Sequence, residues 1–389
     1  AKADTVIAVI GGNFTQRGEP SLVDKWTKAE MALANGADLV IELPTLYATS
    51  SAENFADGAI KILNSLKVVN SVSFGAETQD LNQLNILANV LYKEPKEYKD
   101  FLSQNLKKGS SFPKAWEEAL IKYLNDKKYS VLLSSPNNIL AIEYLKALKK
   151  HSSKMTPICI KRKGSGHLAR DYNGEITSAS AIRGLVYSNR AKEIKKFLTP
   201  ASYTILADEF QKGHFIQDPA YFDNIILYNL RNMSLQEIAN LPDVSEGLEN
   251  AIKKAANSCN TLDEFVKIIS SKRYTETRIR RILLYSLLKI SKKEIEMSKR
   301  TNPYIRVLAF NLKGKNLLSK ISKANPRLNI ITSVKKFENM NMNRNLKTML
   351  EKDILATNIY TLGFASDSWS NLDYTKKVIK DRKSTRLNS

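Results

Sequence analysis

Cysteine is almost missing from this chain: two residues in 389, Cys159 and Cys259. They lie far apart with no paired spacing, which excludes a disulfide framework or a CxxC-type zinc site, and each reads as a small buried hydrophobe. Long apolar runs are absent too. No stretch reaches the roughly 18 uninterrupted apolar residues of a membrane span, and the N-terminus lacks the basic, apolar and small-residue order of a signal peptide. Histidine is scarce, with only His151, His167 and His214, each expected in a structural or solvated role. No cluster of carboxylates designates a protein metal site. What these absences leave is a soluble, cytoplasmic globular chain, 43% hydrophobic and long enough for two or three domains.

Positive charge is what the chain has in excess, and it is unevenly spread. Of the net +21, residues 1–150 contribute 18 Lys+Arg against 17 Asp+Glu, whereas residues 251–350 hold 23 against 6. Residues 201–250 are acidic, with 2 basic and 8 acidic side chains. A concentrated positive field attracts a polyanion, and the neutral first part is expected to do something else. Nucleic acid is preferred to a membrane surface, because no lipidation motif or strongly amphipathic terminal helix accompanies the charge.

The first half alternates short apolar runs with helical patterns. TVIAVI (5–10) leads to a helix over 24–35 ending at Gly36, then DLVIELP (38–44), a helix over 51–66, SVSFG (71–75) and a helix over 80–92. After a helical insertion at 95–127, SVLLSSP, a helix over 138–149 and the strand TPICI (156–160) resume the rhythm. This order predicts an α/β domain with a doubly wound parallel sheet, and the continuous apolar character of TVIAVI and LVIEL fits strands buried on both faces.

Ligands of such sheets sit at the carboxyl ends of the strands. After the first run come Gly11, Gly12, Asn13, Gln16, Arg17 and Glu19; after the third, Gly75 and Glu77. Pro136, Asn137 and Asn138 follow SVLLS, and Lys161, Arg162, Gly164 and Ser165 follow TPICI. In TSASAIRG (177–184), Ser178 or Ser180 caps a helix whose backbone N–H groups point outward, and Arg183 adds a bidentate donor one turn along. With Lys161 and Arg162 this makes a cationic rim suited to a triphosphate.

From about residue 195 the pattern turns helical, over 201–212, 219–231, 234–239, 245–256, 262–271 and 275–290. In the last of these, Ile279, Ile282, Leu283, Ser286 and Leu287 recur at helical spacing and leave Arg278, Arg280 and Arg281 on other faces. Those arginines, with Lys272 and Arg273, read either as RNA-backbone contacts or as a solvated face. Tyr274 and Tyr285 read as base-stacking or packed residues. RVLAF, a helix from Lys313 and NIIT predict a small α/β piece appended at 301–381. The divisions expected are therefore a nucleotide-binding domain at 1–195, a helical basic region at 196–300 and that piece, with 382–389 (RKSTRLNS) a non-native tail.

GNFTQRGEPSLVDKWTKAEMAL, DLVIELP, SAENFADGAI, FGAE, PNNILAIEY, KRKGSGH and SASAIR, in this order, resemble the bacterial tRNA(Met) cytidine acetate ligase family, as do RYTETRIRRILLYSLL and PYIRVLAFN. The resemblance covers roughly residues 4–375. It implies a nucleotidyltransferase-like ATP-binding domain that forms acetyl-adenylate from acetate and ATP, then acetylates the exocyclic amine of the wobble cytidine of elongator tRNA(Met). Within it, Gly75, one of Asn137 and Asn138 with a slight preference for Asn137, and Arg162 resemble the family's ATP contacts. Ser178, Ser180 and Arg183 resemble the helix start that holds the β and γ phosphates in related nucleotidyltransferases. Gly12, Asn13, Gln16 and Arg17 would face the cleft, with Arg17 and Glu19 either ordering the loop or addressing the substrate. Magnesium carried mostly by the phosphates is compatible with it. The resemblance also implies a first strand and a histidine loop of the form EYNPFHNGH ahead of Ala1, so this chain is expected to be impaired as it stands. Two other functions fit parts of the sequence: a nucleotidyltransferase making a small coenzyme, and a non-catalytic RNA-binding protein.

Overall fold

The computed structural model describes residues 3–110, 112–162, 177–245, 247–271, 273–338, 343–366 and 370–381. Its central sheet runs β1 (Ile7–Gly11), β2 (Leu39–Leu43), β5 (Ile305–Phe310) and β6 (Ile330–Ile331), with β7 (Ile379–Lys380) also pairing with β5. β1 and β2 are parallel, with Ile7 opposite Leu39 and Gly11 opposite Leu43. β5 joins β2 antiparallel, and Arg306 lies opposite Glu42. β3 (Ser71–Ala76) and β4 (Thr156–Lys161) form a separate parallel pair in which Gly75 faces Ile160.

Local sequence chemistry starts the helices between these strands. Asp24 caps the helix Lys25–Ala34 by accepting the Thr27 N–H at 2.7 Å, and Ser51 caps Ala52–Ser65 by accepting from Asn54. Such a cap satisfies an otherwise orphaned N–H and contributes about 1 kcal/mol. Pro136 opens Pro136–Lys150 at a position where its missing N–H costs nothing. In Leu312–Ala324, Gly314 lies directly on the Asp38 carbonyl oxygen, where a Cβ would come to 1.9 Å. That contact lets the helix close over the start of β2.

Three sequence expectations need correcting. SVLLSSP is no strand: Lys128–Leu133 is helical, with Tyr129, Leu132 and Leu133 buried and Val131 71% exposed. That burial has the spacing of a helix, which a three-residue apolar run does not reveal. β1 is half-buried at every position whereas β2 is buried throughout, because among the described residues β1 pairs only with β2. The third correction concerns the small α/β piece expected as an appendage at 301–381. Its strand β5 lies inside the first sheet beside β2, since IRVLAF, buried from Ile305 to Ala309, needs cover on both faces.

The helical region is likewise fastened to the sheet. Tyr285 donates to the Thr49 carbonyl at 2.9 Å, Tyr47 to the carbonyls of Ser298 and Thr301 at 2.5 and 2.9 Å, and Tyr360 to that of Ser21 at 2.9 Å. One apolar core runs from Leu39–Leu43 through Tyr285 and Leu287 to Tyr360. A smaller one gathers Leu185, Val186, Ile194 and Leu206 around Val23.

Candidate functional site

Two groups of polar residues meet the carboxyl ends of β1, β3 and β4. The first is built on β3, β4 and the start of Pro136–Lys150. Asn138 is buried, and its Oδ1 accepts the N–H groups of Glu77 and Thr78 at 2.9 and 3.2 Å. Its own N–H donates to Glu77 Oε2 at 2.9 Å. Asn137 stays half-exposed, donating to Glu77 Oε1 at 2.6 Å and accepting from Arg162 Nη1 at 3.4 Å. A Cβ on Gly75 would meet Arg162 Cγ at 3.3 Å, so the guanidinium stem lies across the strand end. Asn138 thus shapes the turn, and Asn137 and Arg162 present its polar face. Lys161 is exposed beside them.

The second group joins the loop after β1 to the helix Ala179–Tyr187. Ser178 is its cap, accepting the Ala181 N–H at 3.1 Å. Ser180 Oγ accepts from Arg183 Nη2 at 3.2 Å and Arg17 Nη1 at 3.4 Å. Arg183 also pairs with Glu19 at 2.8 Å. Two guanidiniums and a hydroxyl therefore converge on a helix start whose N–H groups carry partial positive charge, the arrangement that suits a phosphate chain.

The loop between these residues is held from below. Asn13 is buried; its Oδ1 accepts the Lys25 N–H at 2.8 Å and its Nδ2 donates to Thr357 Oγ1 at 3.1 Å. Gly12 is buried as well, and a Cβ there would lie 3.0 Å from Glu42 Oε1. The expectation that both face the cleft is corrected: they anchor the loop, while Gln16 and Arg17 stay partly exposed in it. Lys28 donates to the carbonyls of Gly11 and Gly12, the first at 2.9 Å, and to Ser21 Oγ at 3.0 Å. Burial brings its pKa down to about 8, against the opposing pull of Glu42 and Asp24.

Beneath the loop lies a buried charge network that sequence reasoning missed. Lys25, 0% exposed, bridges Glu42 at 2.9 Å and Asp373 at 2.8 Å. Arg306 reaches Asp373 at 3.5 Å. Asp353 accepts the Thr45 N–H at 2.7 Å and the Tyr304 hydroxyl. Burial would lower the Lys25 pKa, but Asp373, Glu42 and Asp353 outweigh it and the net shift is upward. Burial raises Glu42 to about 7 despite Lys25, and raises Asp353 too. The signal was available: a glutamate inside LVIEL and an arginine inside IRVLAF are charges in otherwise apolar strands, and such charges are buried only when paired.

The arginines of Glu276–Leu287 have internal partners. Arg278 donates to the Asp243 carbonyl at 2.9 and 2.7 Å and to Ser245. Arg280 pairs with Glu276 and Asp263 at 2.9 and 3.1 Å, and Arg281 with Asp243 at 2.8 Å. These partners fasten the helix and occupy most of its arginine donors, which goes against a primary role on the RNA backbone. Tyr285 is buried and Tyr274 packs beneath Arg278. Arg273 is exposed; Lys272, like Gly164, Ser165 and His167, lies outside the described residues. His151 bonds Asp57 at 2.8 Å, and His214 stacks on Phe364 beside Glu209.

The HIGH nucleotidyl transferase family model matches residues 1–373. The tRNA(Met) cytidine acetate ligase of Thermoanaerobacter sp. strain X514 is 47% identical over 380 residues, 97% of this chain and 93% of that protein. The chain belongs to the tRNA(Met) cytidine acetate ligase family. A more distant member, from Halothermothrix orenii, is 40% identical over 394 residues, with the same coverage of both chains. Among solved structures, apo Thermotoga maritima TmcAL superposes with a TM-score of 0.92 at 34% identity, covering 97% of this chain and 92% of that one. The same protein bound with alpha-thio ATP gives 0.89. The ligase family's α/β nucleotidyltransferase-like fold with a helical region is therefore the fold of this chain.

Proposed function

We propose that this chain is an ATP-dependent acetate ligase that forms acetyl-adenylate and transfers the acetyl group to the exocyclic amine of the wobble cytidine of elongator tRNA(Met). The observation that carries this reading is the convergence of Arg17, Arg183 and Ser180 on the Ser178-capped helix start at the strand ends, in a member of a family named for that reaction. An acetate oxygen attacks the α-phosphorus, and the bond to pyrophosphate breaks. The cytidine amine then attacks the acetyl carbonyl carbon, AMP leaves, and the amine loses a proton. No protein nucleophile is needed, so catalysis is positioning and charge stabilisation.

In this assignment the β and γ phosphates lie on the N–H groups after Ser178, on Ser180 and on Arg183, while Arg17 supports the leaving pyrophosphate. Gly75, Asn137 and Arg162 hold the nucleoside side of ATP, and Asn138 keeps their turn in shape. Among the described residues no group of three or more His, Cys, Asp or Glu gathers as a metal site, and Glu19 at the phosphate cluster is already paired with Arg183. Magnesium carried on the phosphates would neutralise part of their charge in this reading. Arg273, Lys254, Lys267 and Lys293, exposed in the basic region, take tRNA phosphates in this reading. ATP–pyrophosphate exchange that requires acetate, followed by acetylcytidine in tRNA(Met), tests the reading. A small-coenzyme nucleotidyltransferase would exchange with a different acceptor, and an RNA-binding protein not at all.

A further inference from the structure

A cavity of about 180 Å³ opens between the loop Gly18–Pro20 and the start of the helix Asp223–Asn232. Phe14, Pro20, Phe222 and Ile226 belong to its apolar lining, and Glu19, Asp218, Asp223, Asp263 and Arg280 reach it with charge. Pockets for nucleotide-sized ligands begin near about 300 Å³, so this one suits a single ring with its substituents. We propose that it is the pocket for the cytosine base of the RNA substrate, extruded from its strand. This proposal rests on the function given above.

The polar groups have the pattern a cytosine edge requires. Asp223 Oδ2 accepts the Leu262 N–H at 3.0 Å, and Oδ1 takes no hydrogen bond among the described residues. Arg280 uses Nε and Nη2 on Glu276 and Asp263, which leaves Nη1 without a partner among them. A carboxylate oxygen and a guanidinium N–H complement the N4 amine and the O2 acceptor of cytosine; uracil would set its O4 lone pairs against the carboxylate. Glu19 also lines the cavity and pairs with Arg183, which in turn holds Ser180. A base in this cavity is thus one side chain, Glu19, from the phosphate cluster where the acyl group is made, as transfer demands.

The surface beside the mouth fits the same ligand. Tyr221, Ile225 and Tyr228 follow one another along the outer face of this helix and the short turn before it, and Tyr228 is 68% exposed. Exposed aromatics next to a base-sized cavity suit unpaired nucleotides, which stack without regard to sequence. The local acidity of residues 201–250 agrees with reading a base amine here while the phosphates rest on the basic region.

The test is binding of an anticodon stem–loop RNA carrying cytidine or uridine at the wobble position. The unaltered chain is expected to prefer cytidine on the order of tenfold, the scale of one good base-edge pairing. Ala220→Trp, on the exposed rim, should close the cavity and bring the ratio to one while leaving the uridine RNA bound as before. Asp223→Asn keeps an acceptor for Leu262 but turns an amide N–H inward, and should remove or invert the preference. Tyr228→Ala should weaken both RNAs equally, roughly fivefold or more. If both pocket variants keep the ratio of the unaltered chain, or that chain binds both RNAs equally, the pocket assignment is overturned and the proposed function stands. If the unaltered chain binds neither RNA, the proposed function falls, and the pocket with it.

Discussion

Replacing Lys25 by Met tests whether the buried network holds the loop after β1. Lys25 is the cation shared by Glu42 and Asp373, all three at most 2% exposed. Among the described residues, its removal leaves Glu42 without an ion-pair partner and Asp373 with only Arg306 at 3.5 Å. Breaking a buried pair from one side costs about 3–5 kcal/mol, because the remaining charge stays desolvated. The sign of the pH dependence follows from Glu42, whose pKa is raised from an ordinary 4.5 to about 7. A carboxylate raised on folding binds more protons in the folded chain, so it penalises stability increasingly as pH rises from about 4.5 through 7, by about 3 kcal/mol in all. Loss of Lys25 raises that pKa further. Urea unfolding should therefore show the larger deficit at pH 8 and a smaller one at pH 6, where Glu42 takes up a proton. The double variant Lys25→Met/Glu42→Gln should be less destabilised at pH 8 than the single one. A single-variant cost below about 1 kcal/mol, the range of an exposed pair, or a double variant as damaged as the sum of its parts, would refute the reasoning.

Arg183→Ala removes the donor shared by Ser180 and Glu19, and acetate-dependent exchange should fall about 100- to 1,000-fold with the unfolding midpoint nearly unchanged. Gly18→Ala should destabilise by a few kcal/mol in thermal unfolding, on the order of a strained backbone position plus overpacking. Gly18 has φ +80° and a Cβ there would lie 2.4 Å from the Arg280 carbonyl carbon. Binding of tRNA(Met) through about six phosphates should weaken roughly a thousandfold between about 50 and 200 mM salt; a flat response would remove the polyanion from the account.

What the sequence made legible was local chemistry. The helices expected over 24–35 and 51–66 do begin at Asp24 and Ser51, and the hydroxyl–arginine start of Ala179–Tyr187 is where TSASAIRG indicated. Pairings distant in the chain were not legible. Nothing in IRVLAF says that it lies beside LVIEL, because an antiparallel partner some 260 residues away leaves no periodicity of its own. The same holds for Asn13, whose amide is spent on Lys25 and Thr357, and for Arg278, Arg280 and Arg281. A helical wheel shows that those three arginines avoid the core, but not that Asp243, Asp263 and Glu276 wait for them. Net charge located a basic region; which of its cations remain exposed is decided only by packing.

The most direct measurement of the central claim is pyrophosphate exchange into ATP by this protein, with and without acetate, followed by mass analysis of cytidine from tRNA(Met). The account expects exchange only when acetate is present, and a wobble cytidine heavier by one acetyl group. Exchange that ignores acetate, or that requires another acid or a phosphorylated coenzyme precursor, would contradict it.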